Sequence, residues 1–365
     1  MSQQNIVLLC TGLGRVQRGF EMYISGLAQK LSSSGELHEN LEVWCGGRVQ
    51  IPGIKTKRIT NIYRKGFIGK RLGAAAFLWE QRSFFFGMLP HLLASRPSVF
   101  YLGEYQLYCY LFKFRKLFGL QYSLVLYTGG QAIPGLFDPQ LDFVHHVTDV
   151  YLRECRHIPS DRQMVLSHFI QEDFVYANNR QQQILQKASG KKIVLSVGLI
   201  DKSIKRMDYL VQSLAPLAET IFPVLLGDSS SDTASIKEML EQSFGKNGFV
   251  LQKLDHQELG DWYSRADLFV LCSPKESFGL AMVEALYHGV PVICDDFPEA
   301  RFVLQNKAEF VPMKNTMVLT EAIHDMINEK ESVGCRQERK QFVEQRYTWR
   351  ALQDQYRSMF RRIAN

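Results

Sequence analysis

Residues 268–296 read LFVLCSPKESFGLAMVEALYHGVPVICDD. The apolar run that closes at Cys272 has the length of a buried strand, and Ser273 and Pro274 turn the chain out of it. A helix is expected to begin near Phe278 or Gly279 and to run to His288. Gly289 is placed to end it, and Pro291 stands where no helix can continue. Val290 to Cys294 then reads as the next strand. Strand, helix and strand in this order make one unit of a parallel sheet with helices on its faces.

The same alternation extends in both directions. In the first half, strands are predicted at Ile6 to Cys10, Leu41 to Cys45, Val99 to Leu102, Ser123 to Tyr127, Phe143 to Val147 and Met164 to His168. Phe20, Tyr23, Ile24, Leu27, Ala28 and Leu31 recur at helical spacing between the first two. In the second half, strands are predicted at Ile193 to Val197, Val224 to Leu226, Phe249 to Leu251, Leu268 to Cys272, Val290 to Cys294 and Glu309 to Val311. The polar stretch Gln171 to Lys192 separates the two series. The expectation is an α/β protein of two Rossmann-like domains facing a central cleft. An N-terminal domain is expected over 1–185, a C-terminal domain over 186–345, and a helix over 346–365 packing back on the N-terminal domain. Trp349, Leu352, Tyr356, Met359, Phe360 and Ile363 share one face of that helix, and Arg350, Arg357, Arg361 and Arg362 rim it. Ligands of such sheets bind outside the carboxyl ends of the strands.

Composition agrees with two ordinary cores. The chain has 365 residues, 46% apolar and 22% charged, and domains run roughly 100 to 200 residues. A net charge of +6 suits phosphate-bearing ligands or anionic surfaces and is too modest to point to nucleic acid. Seven cysteines, without a CxxC pair, suggest reduced thiols rather than disulfides or a zinc site. Met1 to Asn5 and the short apolar run behind them lack the basic and hydrophobic regions of a signal peptide. No apolar stretch approaches the roughly 20 residues that span a bilayer. A cytoplasmic location is therefore expected, with any membrane contact peripheral and from the inner face. The aromatic and basic stretches Tyr63 to Phe86 and Tyr101 to Phe118 could grip a lipid-linked or polysaccharide acceptor at such a surface, or could pack as amphipathic helices on the first sheet.

Chemistry concentrates around the quoted segment. Glu276 lies in the loop before its helix and Glu284 about two turns in. The backbone N–H groups around Ser277, Phe278, Gly279 and Leu280 have no acceptor within the helix. Together with the positive end of the helix dipole they make an anion site suited to a diphosphate, which Gly279 lets a ligand approach closely. A carboxylate in front of such a site accepts hydrogen bonds from the hydroxyls of a sugar and needs no metal to do so. Two isolated glutamates could also be a cap and a surface residue.

The segment closely resembles the ExFGLxxxEAxxxGxPVI signature of glycosyltransferase family 4 and its retaining GT-B relatives. Glu276, Phe278, Gly279, Leu280, Glu284, Ala285, Gly289, Pro291, Val292 and Ile293 fall in register. SVGLIDKSIKRMDYLVQSL, from Ser196, resembles the family's VGRLxxxKGxxxLIxA segment, so Gly198 and Lys205 occupy its glycine and lysine. Leu199 stands where the family has an arginine, and Lys202 or Arg206 could substitute. PVLLGD, ending in Gly227 and Asp228, and LGDWYSRADLFVLCS, from Leu259, resemble two further family stretches.

In the first half the resemblance is weaker. TGLGRVQRGFE, from Thr11, sits where the family has a glycine-rich loop and aligns Gly19 with the glycine near the donor phosphates, although a plain turn reads the same way. Asp142 to Thr148 and LSHFI resemble cleft-facing segments, which makes His145, His146 and His168 candidates. His145 and His146 alternate along a strand, so at most one faces a ligand. Thr128, Gly129, Gly130 and Gln131 replace a histidine that the family often has, and the glycines remain candidates for a backbone surface against the sugar.

The resemblance implies retaining transfer from a nucleoside-diphosphate sugar to a hydroxyl of a glycan, glycolipid or small-molecule acceptor, in cell-surface glycan or glycolipid biosynthesis. It implies catalytic roles for Glu276 and Lys205, with Glu276 on the donor sugar and Glu284 on the ribose. No DxD motif occurs and no metal or other cofactor is expected. Two alternatives stand beside it: a sugar-nucleotide epimerase on the same scaffold, and a degenerate domain that binds nucleotide sugar or scaffolds a partner.

Overall fold

A computed structural model gives the structure at residues 5–16, 19–33, 41–129, 141–155, 158–329, 331–332 and 334–364. The chain divides into two compact units, unit 1 over 1–167 with 353–365 and unit 2 over 168–352. Each is an α/β assembly on its own parallel sheet.

Unit 1 runs β1 (Ile6–Cys10), α1 (Gly19–Ser33), β2 (Leu41–Cys45), β3 (Lys55–Arg58), α2 (Phe67–Arg71), α3 (Ala76–Ser95), β4 (Val99–Leu102), α4 (Tyr105–Phe118), β5 (Ser123–Tyr127), β6 (Phe143–His146), α5 (Asp149–Glu154) and β7 (Gln163–Val165). The seven strands lie in the order 3-2-1-4-5-6-7, and every pairing is parallel. The central strands β1, β2 and β4 are buried on both faces, which is why they read as apolar runs, broken only by Glu42 in β2. Strand β3, KTKR, carries no such signal. It is a charged edge, and Lys55 and Lys57 reach back to Glu42 on β2 at 2.8 and 2.9 Å. Helix α1 buries the predicted face. Helices α3 and α4 meet through Phe85, whose ring lies 5.6 Å from those of Tyr110 and Phe114.

Unit 2 continues with α6 (Asn178–Ala188), β8 (Lys192–Val197), α7 (Met207–Leu214), β9 (Ile221–Leu226), α8 (Thr233–Phe244), β10 (Val250–Gln252), α9 (Leu259–Arg265), β11 (Leu268–Leu271), α10 (Leu280–Tyr287), β12 (Val292–Cys294), α11 (Pro298–Leu304), β13 (Glu309–Phe310), α12 (Thr316–Asn328) and α13 (Cys335–Arg346). The six strands order as 10-9-8-11-12-13, again all parallel. The last helix, α14 (Trp349–Ala364), begins in unit 2, and from Gln353 onward it belongs to unit 1. Its Tyr356 hydroxyl accepts from Tyr23 at 3.2 Å and donates to the Ser167 carbonyl at 2.9 Å.

The division falls at 167/168, where the sequence suggested 185/186. Residues 168–185 group with unit 2 because their backbone is tied into it. Ile170 N–H donates to the Tyr347 carbonyl, Val175 N–H to the Gln257 carbonyl, and Ala177 N–H to the Asp261 carboxylate. All seven cysteines are free thiols, and among the described residues no helix is long and apolar enough to cross a membrane.

Candidate functional site

In unit 2, β8 and β11 are neighbours at the point where strand order reverses, so the loops that leave their carboxyl ends diverge to opposite faces and open a crevice. The loop after β8 winds around one buried acid. Asp201 accepts from Ser203 Oγ at 3.0 Å, Ile204 N–H at 3.0 Å and Lys205 N–H at 2.7 Å. That fixes the backbone from which Lys205 projects. A Cβ on Gly198 would lie 2.9 Å from Lys205 Cε, and one on Gly227 would lie 1.7 Å from the Gly198 carbonyl oxygen. The two glycines thus let the ends of β8 and β9 close up beneath the lysine stem. From the loop after β11, Glu276 meets the Lys205 ammonium in a hydrogen-bonded ion pair. The two side chains are 15% and 19% exposed, so one side of the pair stays open to water.

Three residues beyond Glu276, Gly279 turns the chain into α10 with φ 76° and ψ 50°, the left-handed region that an L side chain rarely adopts. No side chain caps the helix. Among the described residues, the N–H groups of Ser277, Phe278 and Gly279 donate to no protein acceptor. The Phe278 ring points inward, 5.2 Å from His168 and 5.4 Å from Tyr347, so this residue offers a ligand its backbone alone. Ser277 and Leu280 are half-buried. A helix N-terminus with free N–H groups beside a lysine is an anion-binding arrangement. The Glu276 carboxylate at its edge makes the same place a match for a ligand that is part anion and part hydroxyl.

Glu284, on the second turn of α10, is buried. It accepts from His256 Nε2 at 2.8 Å and from the Tyr263 hydroxyl at 2.9 Å. Burial opposes protonation of His256, but the Glu284 hydrogen bond and charge outweigh it and leave the pKa raised. His288 packs on the same cluster, 5.1 Å from the Tyr263 ring. Burial keeps that histidine low. Sequence reading missed His256, Tyr263 and Asp201. His256 sits in an ordinary capping sequence between Asp255 and Glu258, and nothing in the chain pairs it with a residue 28 positions away.

The remaining candidates fall elsewhere. Arg206 lies over the Tyr209 ring at 4.2 Å and donates to the Met313 carbonyl at 3.3 Å, while Lys202 reaches Ser235 at 2.7 Å. Both cations are thus held by protein groups of their own. His168 is enclosed against Phe278. In unit 1, Gly19 opens α1 with free space around it, and Gly129 lies against the Tyr127 ring. Gly130 lies outside the described residues. His145 and His146 are both fully buried. The former is bonded to the Tyr101 hydroxyl at 2.8 Å and the Leu166 carbonyl at 2.6 Å, the latter to Thr128 at 3.2 Å and Gln163 at 3.0 Å. Neither ring keeps a nitrogen for a ligand, and burial pushes both pKa values down to about 4. At most one of the two was expected to face a ligand; in the structure the strand is covered on both sides and protein groups occupy both rings. Among the described residues no group of His, Cys, Asp and Glu has the geometry of a metal centre.

Residues 177–349 match the family model described as Glycosyl transferases group 1. Over 105 residues the chain is 34% identical to a D-inositol 3-phosphate glycosyltransferase of Xylanimonas cellulosilytica, covering 28% of this chain and 25% of that protein. Over 97 residues it is 29% identical to the GtfA subunit of a UDP-N-acetylglucosamine--peptide N-acetylglucosaminyltransferase of Streptococcus parasanguinis, covering 26% of this chain and 19% of that one. The matched stretch therefore spans about a quarter of these curated relatives or less. Whole-chain likeness appears in solved structures. Sucrose-phosphate synthase of Thermosynechococcus elongatus superposes with a TM-score of 0.81 at 16% identity over 99% of each chain. Anabaena HepE in complex with UDP and glucose gives 0.76 at 14% over 98% of this chain and 99% of that one. The chain thus has the two-sheet GT-B fold, and over residues 177–349 it carries the sequence pattern of the glycosyl transferases group 1 family.

Proposed function

We propose that this protein is a retaining glycosyltransferase of the family 4 type. It would move a sugar from a nucleoside-diphosphate donor to a hydroxyl of a glycan, glycolipid or small-molecule acceptor in cell-surface glycan synthesis at the cytoplasmic side. The observation that carries the reading is the meeting of Lys205 and Glu276 beside the uncapped N-terminus of α10. In this reading the donor diphosphate takes the free N–H groups of Ser277, Phe278 and Gly279 and draws the Lys205 ammonium toward it. As the glycosidic bond breaks, charge grows on the departing phosphate, and donors already aimed at that position lower the barrier without reorganising. Glu276, released from Lys205, accepts from hydroxyls of the donor sugar. Glu284, oriented by His256 and Tyr263, accepts from the ribose. Lys205, the α10 N-terminus and Gly198 are the donor-binding set. Arg206 contributes through the loop it closes, its own charge being spent on Tyr209 and Met313.

The test is calorimetric titration of the protein with nucleoside diphosphates and sugar nucleotides, repeated on Glu284→Ala. One base should bind, and truncating Glu284 should weaken it by about 1–3 kcal/mol, the cost of an unpaired buried polar group. With the donor identified, NMR of the product's anomeric centre should show the donor's configuration kept. Binding of no nucleotide would refute the reading and favour a degenerate domain. Turnover of the donor to an epimer without acceptor would favour the epimerase.

A further inference from the structure

The surface of α2 and the adjoining half of α3 gathers exposed apolar side chains. Phe67 is 72% exposed, Ile68 57%, and Phe77, Leu78 and Trp79 between 40% and 49%. The inner side of α3 packs Phe84, Met88 and Leu92 into the sheet, so these outer residues are not required for the core. Between residues 60 and 96 the sequence carries six Lys or Arg and a single acid, Glu80, which is buried and paired with Arg64. Lys65, Lys70, Arg71 and Arg82 stand exposed, and no ion pair with an acid is seen for them among the described residues. The cations lie beside the rings: the Arg71 guanidinium is 4.0 Å from the Phe67 centroid and that of Arg82 is 5.0 Å from Trp79.

We infer that this face docks on an anionic lipid bilayer, its rings entering the headgroup boundary and its cations meeting lipid phosphates. The occupant follows from charge. Every exposed charge on the face is positive, so a second copy would set like charges against one another, whereas a sheet of phosphates complements them all. The depth follows from the helices: no described helix can cross a bilayer, but a surface of aromatic and aliphatic side chains rimmed by Lys and Arg lies in its interface. Each such cation close to an anionic membrane contributes about fivefold to partitioning. This surface belongs to unit 1, and the inference does not rest on the donor chemistry of unit 2.

The test is co-sedimentation of the full chain with vesicles of phosphatidylcholine alone and of phosphatidylcholine with phosphatidylglycerol, while following tryptophan emission. Trp44, Trp262 and Trp349 are buried, so a blue shift on binding reports Trp79 and should vanish in Trp79→Phe. Binding is expected to the anionic vesicles only, to fall with salt, and to drop on the order of a hundredfold in Lys65→Gln/Lys70→Gln/Arg71→Gln. That variant should leave the circular dichroism and melting temperature unchanged. No binding to anionic vesicles at low salt would overturn the inference, as would binding that the triple variant keeps. A concentration-dependent dimer that Phe67→Ser abolishes would assign the face to a second copy instead.

Discussion

Replacing His256 by alanine tests the cluster around Glu284. His256 donates to a buried carboxylate at 2.8 Å, and hydrogen bonds to charged groups contribute about 1.5–3 kcal/mol. The His256 side chain is 21% exposed, so some of its charge is screened, and about 2 kcal/mol is the working figure. The raised pKa makes this stabilisation depend on pH. A histidine that binds its proton more tightly when folded stabilises fully below its ordinary value near 6.5, and that part is lost as pH rises through the folded value. At pH 9 the neutral ring can still donate, leaving an ordinary hydrogen bond of about 0.5–1.5 kcal/mol. The destabilisation by His256→Ala should therefore be about 2 kcal/mol at pH 6 and smaller by roughly 1 kcal/mol at pH 9. Urea unfolding of the wild type, His256→Ala, Glu284→Gln and the double variant at both pH values closes a thermodynamic cycle in which every other titrating group cancels. Refutation would be an interaction energy under about 0.3 kcal/mol, the scatter of independent sites, or a cost of His256→Ala that grows toward pH 9.

Glu104 follows β4 at the strand-order reversal of unit 1 and accepts from Thr11 N–H and Oγ1, each at 2.9 Å. Burial pushes its pKa up to about 7, so the folded state holds a proton that the unfolded chain releases above about 4.5. Its contribution is present below that value and lost as pH rises through 7. Glu104→Gln should leave the melting temperature nearly unchanged at about pH 4 and raise it at about pH 8, as calorimetry would show. Gly227→Ala would drive a Cβ to 1.7 Å from the Gly198 backbone and should cost about 1–3 kcal/mol or more in urea unfolding. Gly198→Ala would place its Cβ 2.9 Å from the Lys205 stem at a φ of 159°, a conformation that an L side chain rarely adopts. It should cost about 1–3 kcal/mol in urea unfolding and weaken nucleoside diphosphate binding by calorimetry. Lys205→Met should weaken that binding by about 1.5–3 kcal/mol, the worth of a charge-assisted hydrogen bond, without loss of fold by circular dichroism.

The contrast between Lys205 and His256 marks what a sequence can show of such a site. Lys205 and Glu276 are 71 positions apart, yet both were named from the sequence. Lys205 was named through the resemblance to the family's segment and Glu276 from the helix start behind it; each follows a buried parallel strand, and the apolar stretches of those strands locate them. The fold then brings the ends of β8 and β11 together by its strand order alone. His256 and Tyr263 have no such anchor. They lie on a short 3-10 turn and the helix behind it, and their meeting with Glu284 depends on how α9 packs against α10, which no periodicity states. Strand β3 was invisible for a related reason: its stability comes from lysines pairing with Glu42 rather than from apolar burial, so its sequence reads as a loop. The histidines of β6 show the converse. Alternation along a strand predicts one inward and one outward side chain only when a single face is covered. β6 is enclosed on both faces, so His145 and His146 each became part of a core, with hydrogen-bond partners supplied by β4, β7 and the segments that follow β5 and β7. Residues set on strand ends were therefore legible, and residues whose role comes from packing between helices were not.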